Sequence, residues 1–175
     1  DPEEVIRCDD VDVVHICTPN ALHRDELLAA MDAGKHIYCD KPLTSDLAQA
    51  EDVMDAFEDY RGTHQMTFHN RFFPATMKAR QLAEDGFLGD LSCFRASYLH
   101  SGSIDPDKPM EWKLDGEMGG GVLNDLATHA VDLVQHIIGR FDSVCAATRI
   151  LYPERPSPED PEEKKEVDAE DHACL

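Results

Sequence analysis

The chain has 175 residues, 42% of them hydrophobic, a composition that excludes a disordered polymer and fits one moderate core or two small ones. Its 16 lysines and arginines face 36 aspartates and glutamates, and the net charge of −20 repels phosphates and anionic lipid, arguing against nucleic acid and membranes as partners. The sequence holds no apolar run of about 18 residues and no basic start ahead of an apolar stretch, so neither a membrane span nor a signal peptide is expected and the cytoplasm is the expected location. The same acidity fits a salt-adapted surface or an acidic mesophilic one. Six cysteines lack a Cys-x-x-Cys pair, and Cys17, Cys39, Cys93 and Cys145 fall in apolar strand-like runs, where a reduced cysteine behaves as a small hydrophobe; a disulfide framework or structural zinc is not expected.

In chain order, residues 1–7 read as the end of a helix. Residues 11–18 are a nearly continuous apolar run, predicting a strand buried on both faces. A helix follows over 21–33, closed by Gly34, then a short strand over 35–39 that ends in Asp40-Lys41-Pro42. Thr44 or Ser45 caps a helix predicted from 45 to about 60, and 63–68 reads as another strand. This β-α-β-α-β order with short connections is the back half of a doubly wound parallel α/β sheet of the Rossmann type. No Gly-x-Gly-x-x-Gly turn appears, so the expectation is a fragment without its pyrophosphate-binding first half.

A second, α+β domain is expected over 69–175, after a partial dinucleotide-binding domain over 1–68. It is predicted to contain a helix over 74–85 ended by Gly86, a long strand over 89–100, and a loop with Pro106, Pro109 and Trp112 that leads into Gly119-Gly120-Gly121. A helix ended by Gly139 then carries Asp125, His129 and Asp132 at i, i+4 and i+7, on one face beside a buried stripe of Leu123, Leu126, Val131, Leu133, Val134 and Ile137. A further strand is expected over 141–151 and a mobile acidic, proline-rich loop over 152–171. The last six residues read as the start of another strand.

Two acids and an imidazole at the edge of a core form a plausible place to move a proton, and a lysine at the carboxyl end of a parallel strand points into the crevice where open α/β sheets bind ligands. Taken alone, Asp-x-x-x-His on a helix reads as a surface pair. A divalent metal is an alternative ligand for these groups, but no second histidine-bearing helix accompanies them. Asp40-Lys41-Pro42 and the glycine run with Asp125 and His129 resemble the two signature strings of the Gfo/Idh/MocA family of nicotinamide-dependent sugar and polyol dehydrogenases. Asp40 stands where that family has glutamate. Further matches are Cys17-Thr18-Pro19-Asn20 with His23, Ala33-Gly34-Lys35-His36, Asn70-Arg71 with Pro74, and Trp112.

The resemblance implies an oxidoreductase that moves hydride between NAD or NADP and a secondary alcohol of a sugar or polyol. It implies Lys41, Asp125 and His129 as the catalytic group, with His129 as base, Lys41 on the reacting oxygen, Asp125 beside them and Asp132 on a further substrate hydroxyl. The expected cofactor contacts are Thr18, Pro19, Asn20, His23, Asp40, Lys41, Arg71 and Trp112, with Lys113 standing where the family has an arginine after the tryptophan. A mainly antiparallel open sheet in the second domain and homo-oligomer contacts through it are also implied. The alternative is a sugar-sensing regulator of the same fold that does not turn over; keeping a proton acceptor in place favours the enzyme.

Overall fold

The computed structural model describes residues 1–175. Its first lobe is a parallel sheet in the order β1 (Val13–Ile16), β2 (His36–Asp40), β3 (His64–Thr67), with Val13 opposite His36 and Ile37 opposite His64. Helices α1 (Pro2–Ile6), α2 (Asn20–Asp32) and α3 (Leu47–Phe57) accompany it. Ile6, Ile16, Leu27, Ala30, Ile37, Cys39 and Val53 form the buried core.

The expectation of a first strand buried on both faces is corrected. β1 is an edge strand of a sheet covered on one side, so Ile16 is buried while Val13 and His15 are exposed, and β2 alternates likewise between buried Ile37 and Cys39 and exposed His36 and Tyr38. A strand covered on one face needs only every second residue to be apolar. The uncovered side is polar enough for His15 Nε2 to lie 3.2 Å from Asp40 Oδ1.

Helix ends follow their local chemistry. Gly34, at φ +66°, closes α2: its amide donates to Met31 O and the Lys35 amide to Ala30 O, the paired bonds of a left-handed glycine cap. The cap of α3 falls one residue later than expected. The Asp46 carboxylate accepts from the Gln49 amide at 2.9 Å, and Thr44 instead donates to Asp46 O.

The second lobe opens with a 3-10 turn, His69–Phe72, and α4 (Pro74–Glu84), which packs against α5 (Thr128–Ile137). The strand expected over 89–100 is absent: no neighbouring strand bonds to this segment, and Leu91, Phe94, Tyr98 and Leu99 are exposed. Alternating residues cannot make a strand without a ladder partner. Of 141–151, only β4 (Ala147–Arg149) is a strand, paired antiparallel with β7 (His172–Cys174), the strand anticipated at the last residues.

The loop expected over 152–171 is corrected most clearly. It contains a hairpin of β5 (Glu154–Pro156) and β6 (Lys164–Glu166), and Arg155 is fully buried over the Tyr152 ring, donating to Ser103 O at 2.6 Å and to Asp105 O. Prolines are compatible with so short a pairing at a strand end, and Pro156 O still accepts from the Met110 amide. Of the cysteines in apolar runs, Cys39 is buried. Cys17, Cys93 and Cys145 are exposed, and all six cysteines are free.

Candidate active site

The two lobes meet at the glycine run. Gly119 has φ +74°, and a Cβ there would sit 2.7 Å from both Asn20 Cβ and Ser45 Cβ, so only glycine lets the first lobe press this close. Buried Asn20 donates from Nδ2 to Gly119 O at 2.7 Å, and the Ala21 amide donates to Met118 O. Glu170 grips the other side of the run: its carbonyl accepts from the Val122 amide at 2.7 Å and its carboxylate from the Leu123 amide at 2.9 Å.

Beyond the glycines the chain makes one widened π turn, Leu123–Ala127, before α5 begins. Such turns displace side chains from ordinary helical register and frequently occur at functional sites. The buried stripe anticipated beside the acids is corrected here. His129 and Asp132 are the buried residues of α5, while Leu123, Leu126, Val131, Leu133, Val134 and Ile137 are half-buried.

Lys41, just past the carboxyl end of β2 and joined to Pro42 by a cis peptide, reaches across the junction. Its ammonium donates to Asp125 Oδ1 at 3.0 Å and to the Asp125 backbone carbonyl. Lys113 Nζ donates to the other carboxylate oxygen, Oδ2, at 2.9 Å. Burial works against ionising Asp125, but the hydrogen bonds and charges of Lys113 and Lys41 outweigh it and hold the carboxyl below its usual range. Lys113 entered the sequence reading only as a replacement for arginine; no local spacing indicates that it would fold back onto Asp125.

His129 is 6% exposed, and its Nδ1 is buried without a hydrogen-bond partner. The rings of Phe68, His69 and Tyr98 lie edge-on to it, with centroids at 6.2, 5.0 and 6.4 Å. Burial first, then the charges of Lys41 and His69, press the imidazole below its ordinary range and favour the neutral form, which can accept a proton. Asp132 faces Arg71 in a bidentate pair, Nε lying 2.9 and 3.0 Å from the two carboxylate oxygens. That pair ties the 3-10 turn after the first lobe to α5.

Several residues named as cofactor contacts have partners within the chain. His23 Nδ1 lies 2.9 Å from Pro42 O and Nε2 3.0 Å from Thr18 O, so this buried ring links the ends of β1 and β2. Thr18 donates to Glu26, Asn20 holds Gly119, and Asp40 lies beside His15. Trp112 is half-buried in a 3-10 turn, with the Lys113 ammonium 5.8 Å from its ring centroid. Cys39, 3.8 Å from His23, is inert: burial, with Asp40 and Glu26, pushes its thiol up to about 12.

Comparison with known proteins accounts for both lobes. Residues 1–68 match the oxidoreductase family with an NAD-binding Rossmann fold, and residues 76–175 match the GFO/IDH/MocA C-terminal domain. The chain belongs to the GFO/IDH/MocA family. It is 38% identical over 157 residues to levoglucosan dehydrogenase of Pseudarthrobacter phenanthrenivorans, covering 89% of this chain and 40% of that protein. It is 32% identical over 146 residues to D-xylose 1-dehydrogenase (NADP(+)) 2 of Haloferax volcanii, covering 83% and 44%. The solved structure of levoglucosan dehydrogenase in complex with NADH and L-sorbose superimposes with a TM-score of 0.93 at 36% identity, over 99% of this chain and 46% of that one. The chain therefore spans less than half the length of these relatives. A Rossmann-type parallel sheet followed by a domain with antiparallel strands, the fold expected from the sequence, is what the family carries.

Proposed function

We propose that the protein is a nicotinamide-dependent dehydrogenase acting on a secondary alcohol of a sugar or polyol. The observation that carries this reading is the meeting of Lys41 from one lobe with Asp125 from the other, with the buried His129 on the same helical segment. His129 accepts the hydroxyl proton as the alcohol is oxidised. Of the three N–H donors of Lys41, two are held by Asp125, and the third remains for the substrate oxygen on which negative charge develops. A nicotinamide held here would supply the hydride acceptor. Asp132, held by Arg71, offers its remaining acceptor capacity to a further hydroxyl.

The residues present fit the nicotinamide end of such a cofactor. The carboxyl ends of β1 and β2 lie side by side, the crevice where doubly wound sheets bind their ligands, and the unpartnered Nδ1 of His129 lies buried at the lobe junction. Thr18 and Pro19 at the end of β1, Lys41 at the end of β2, and Trp112 would hold that end. Asn20, His23, Asp40 and Arg71 would act through the protein atoms they fix.

The test is reduction of NAD and of NADP by the full-length protein with a panel of sugars, anhydrosugars and cyclitols, repeated with Lys41→Ala and His129→Ala. Loss of a general base costs about 100- to 10,000-fold. Binding of nicotinamide and sugar without turnover would favour the sensor reading. Wild-type turnover that persists unchanged in both variants would refute the assignment.

A further inference from the structure

We propose that Lys113 is a positioning residue of this site: by taking one oxygen of the Asp125 carboxylate, it fixes the other oxygen on Lys41 and so aims the remaining Lys41 N–H at the substrate. Its consequence in turnover rests on the dehydrogenase reading, whereas the placement of Asp125 does not. Lys113 and Lys41 donate to different oxygens, Oδ2 at 2.9 Å and Oδ1 at 3.0 Å, so the carboxylate cannot turn about its bond to Cβ without breaking one of these hydrogen bonds. Removing Lys113 leaves Oδ2 open. The carboxylate is then free to rotate, or to draw a second N–H from Lys41, and the donor meant for substrate is lost.

The backbone of Lys113 is built into the site as firmly as its side chain. Its carbonyl accepts from the Gly121 amide at 2.9 Å, and a Cβ on Gly120 would lie 2.6 Å from that same oxygen. Part of the glycine run thus serves to let the chain pass over Lys113. Leu114, the next residue, is buried, and the Trp112 ring centroid lies 5.8 Å from the ammonium. The lysine side chain itself is 44% exposed, and ion pairs that open contribute little to folding. Orientation is what the contact provides.

The experiment uses the full-length protein with Lys113→Met and Lys113→Arg. It reads the pH titration of the Asp125 side-chain carboxyl by carbon NMR, together with kcat and the KM values for cofactor and sugar. In Lys113→Met, the Asp125 midpoint rises and kcat falls about 10- to 100-fold, the penalty of a misdirected contact, while cofactor KM stays within about twofold. Lys113→Arg restores both, since a guanidinium still donates to Oδ2. An Asp125 titration unmoved by Lys113→Met overturns the proposal. So does a loss in cofactor KM that matches the loss in turnover, which would make Lys113 a cofactor ligand. A wild-type protein without turnover, whose Asp125 midpoint still rises in Lys113→Met, refutes the dehydrogenase reading and leaves the placement of Asp125 standing.

Discussion

Gly119→Ala tests whether the lobe junction is set by close backbone approach. The added methyl meets two obstacles: a left-handed φ of +74°, and Asn20 Cβ and Ser45 Cβ at 2.7 Å each. The conformation costs about 1–2 kcal/mol for a residue with a side chain, and forced overpacking about 1–3 kcal/mol. The sum is about 2–5 kcal/mol, or a fall in Tm of about 4–20 °C at this chain length. Gly86 provides the control, because it has the same φ of +74° with nothing within 4 Å of the added atom. Gly86→Ala should therefore show only the conformational part. Thermal and denaturant melts of both variants measure the difference, and amide exchange of Ala21, whose N–H bonds Met118 O across the junction, should quicken in Gly119→Ala alone. Equal losses in the two variants would refute the argument that Asn20 and Ser45 press on the glycine.

Two further predictions follow from charge. His129 should titrate below about 6.5 by imidazole NMR, with His69→Gln moving it upward, because the neighbouring ring's charge is one cause of the depression. A histidine depressed in the folded state contributes stability above its unfolded value that is lost as pH falls toward the folded one, so the acid limb of stability should shorten in His129→Gln. We also propose that the charge of −20 is a salt adaptation: Tm should rise between about 0.1 M and about 2 M KCl as carboxylate repulsion is screened, and a Tm independent of salt would remove that reading.

The first lobe was legible because its signals are local. Hydrophobic runs, a glycine closing α2 and short connections specify β-α-β-α-β without reference to distant residues. The continuous apolar run at 11–18 suits a strand enclosed on both sides, whereas within these 175 residues β1 leaves Val13 and His15 exposed. In the second lobe the errors share one origin. Within these 175 residues, 89–100 have the alternation of a strand but no ladder partner, while 154–166 have the composition of a loop and pair as a hairpin. Pairing is a property of two segments, and composition describes one. Arg155 makes the point: in a chain so acidic, its buried partners are backbone carbonyls, which no charge pattern announces.

The site was legible in its parts and not in its wiring. Lys41, Asp125 and His129 were singled out as types suited to proton transfer, but the second ammonium on Asp125 depends on the glycine run bringing Lys113 back against the helix start. The wiring changes the electrostatic argument. Lys41, Lys113 and Arg71 face the carboxylates of Asp125 and Asp132 beside a neutral imidazole, so the cluster has one positive charge in excess within a chain of net charge −20. A neutral alcohol gains little from that excess in the ground state, whereas an oxygen becoming anionic as its proton leaves gains directly from it. Had Asp125 been paired with Lys41 alone, the excess would vanish and the discrimination would rest on the remaining Lys41 N–H. The second lysine, by holding Asp125 in place, keeps that donor aimed at the oxygen that becomes anionic.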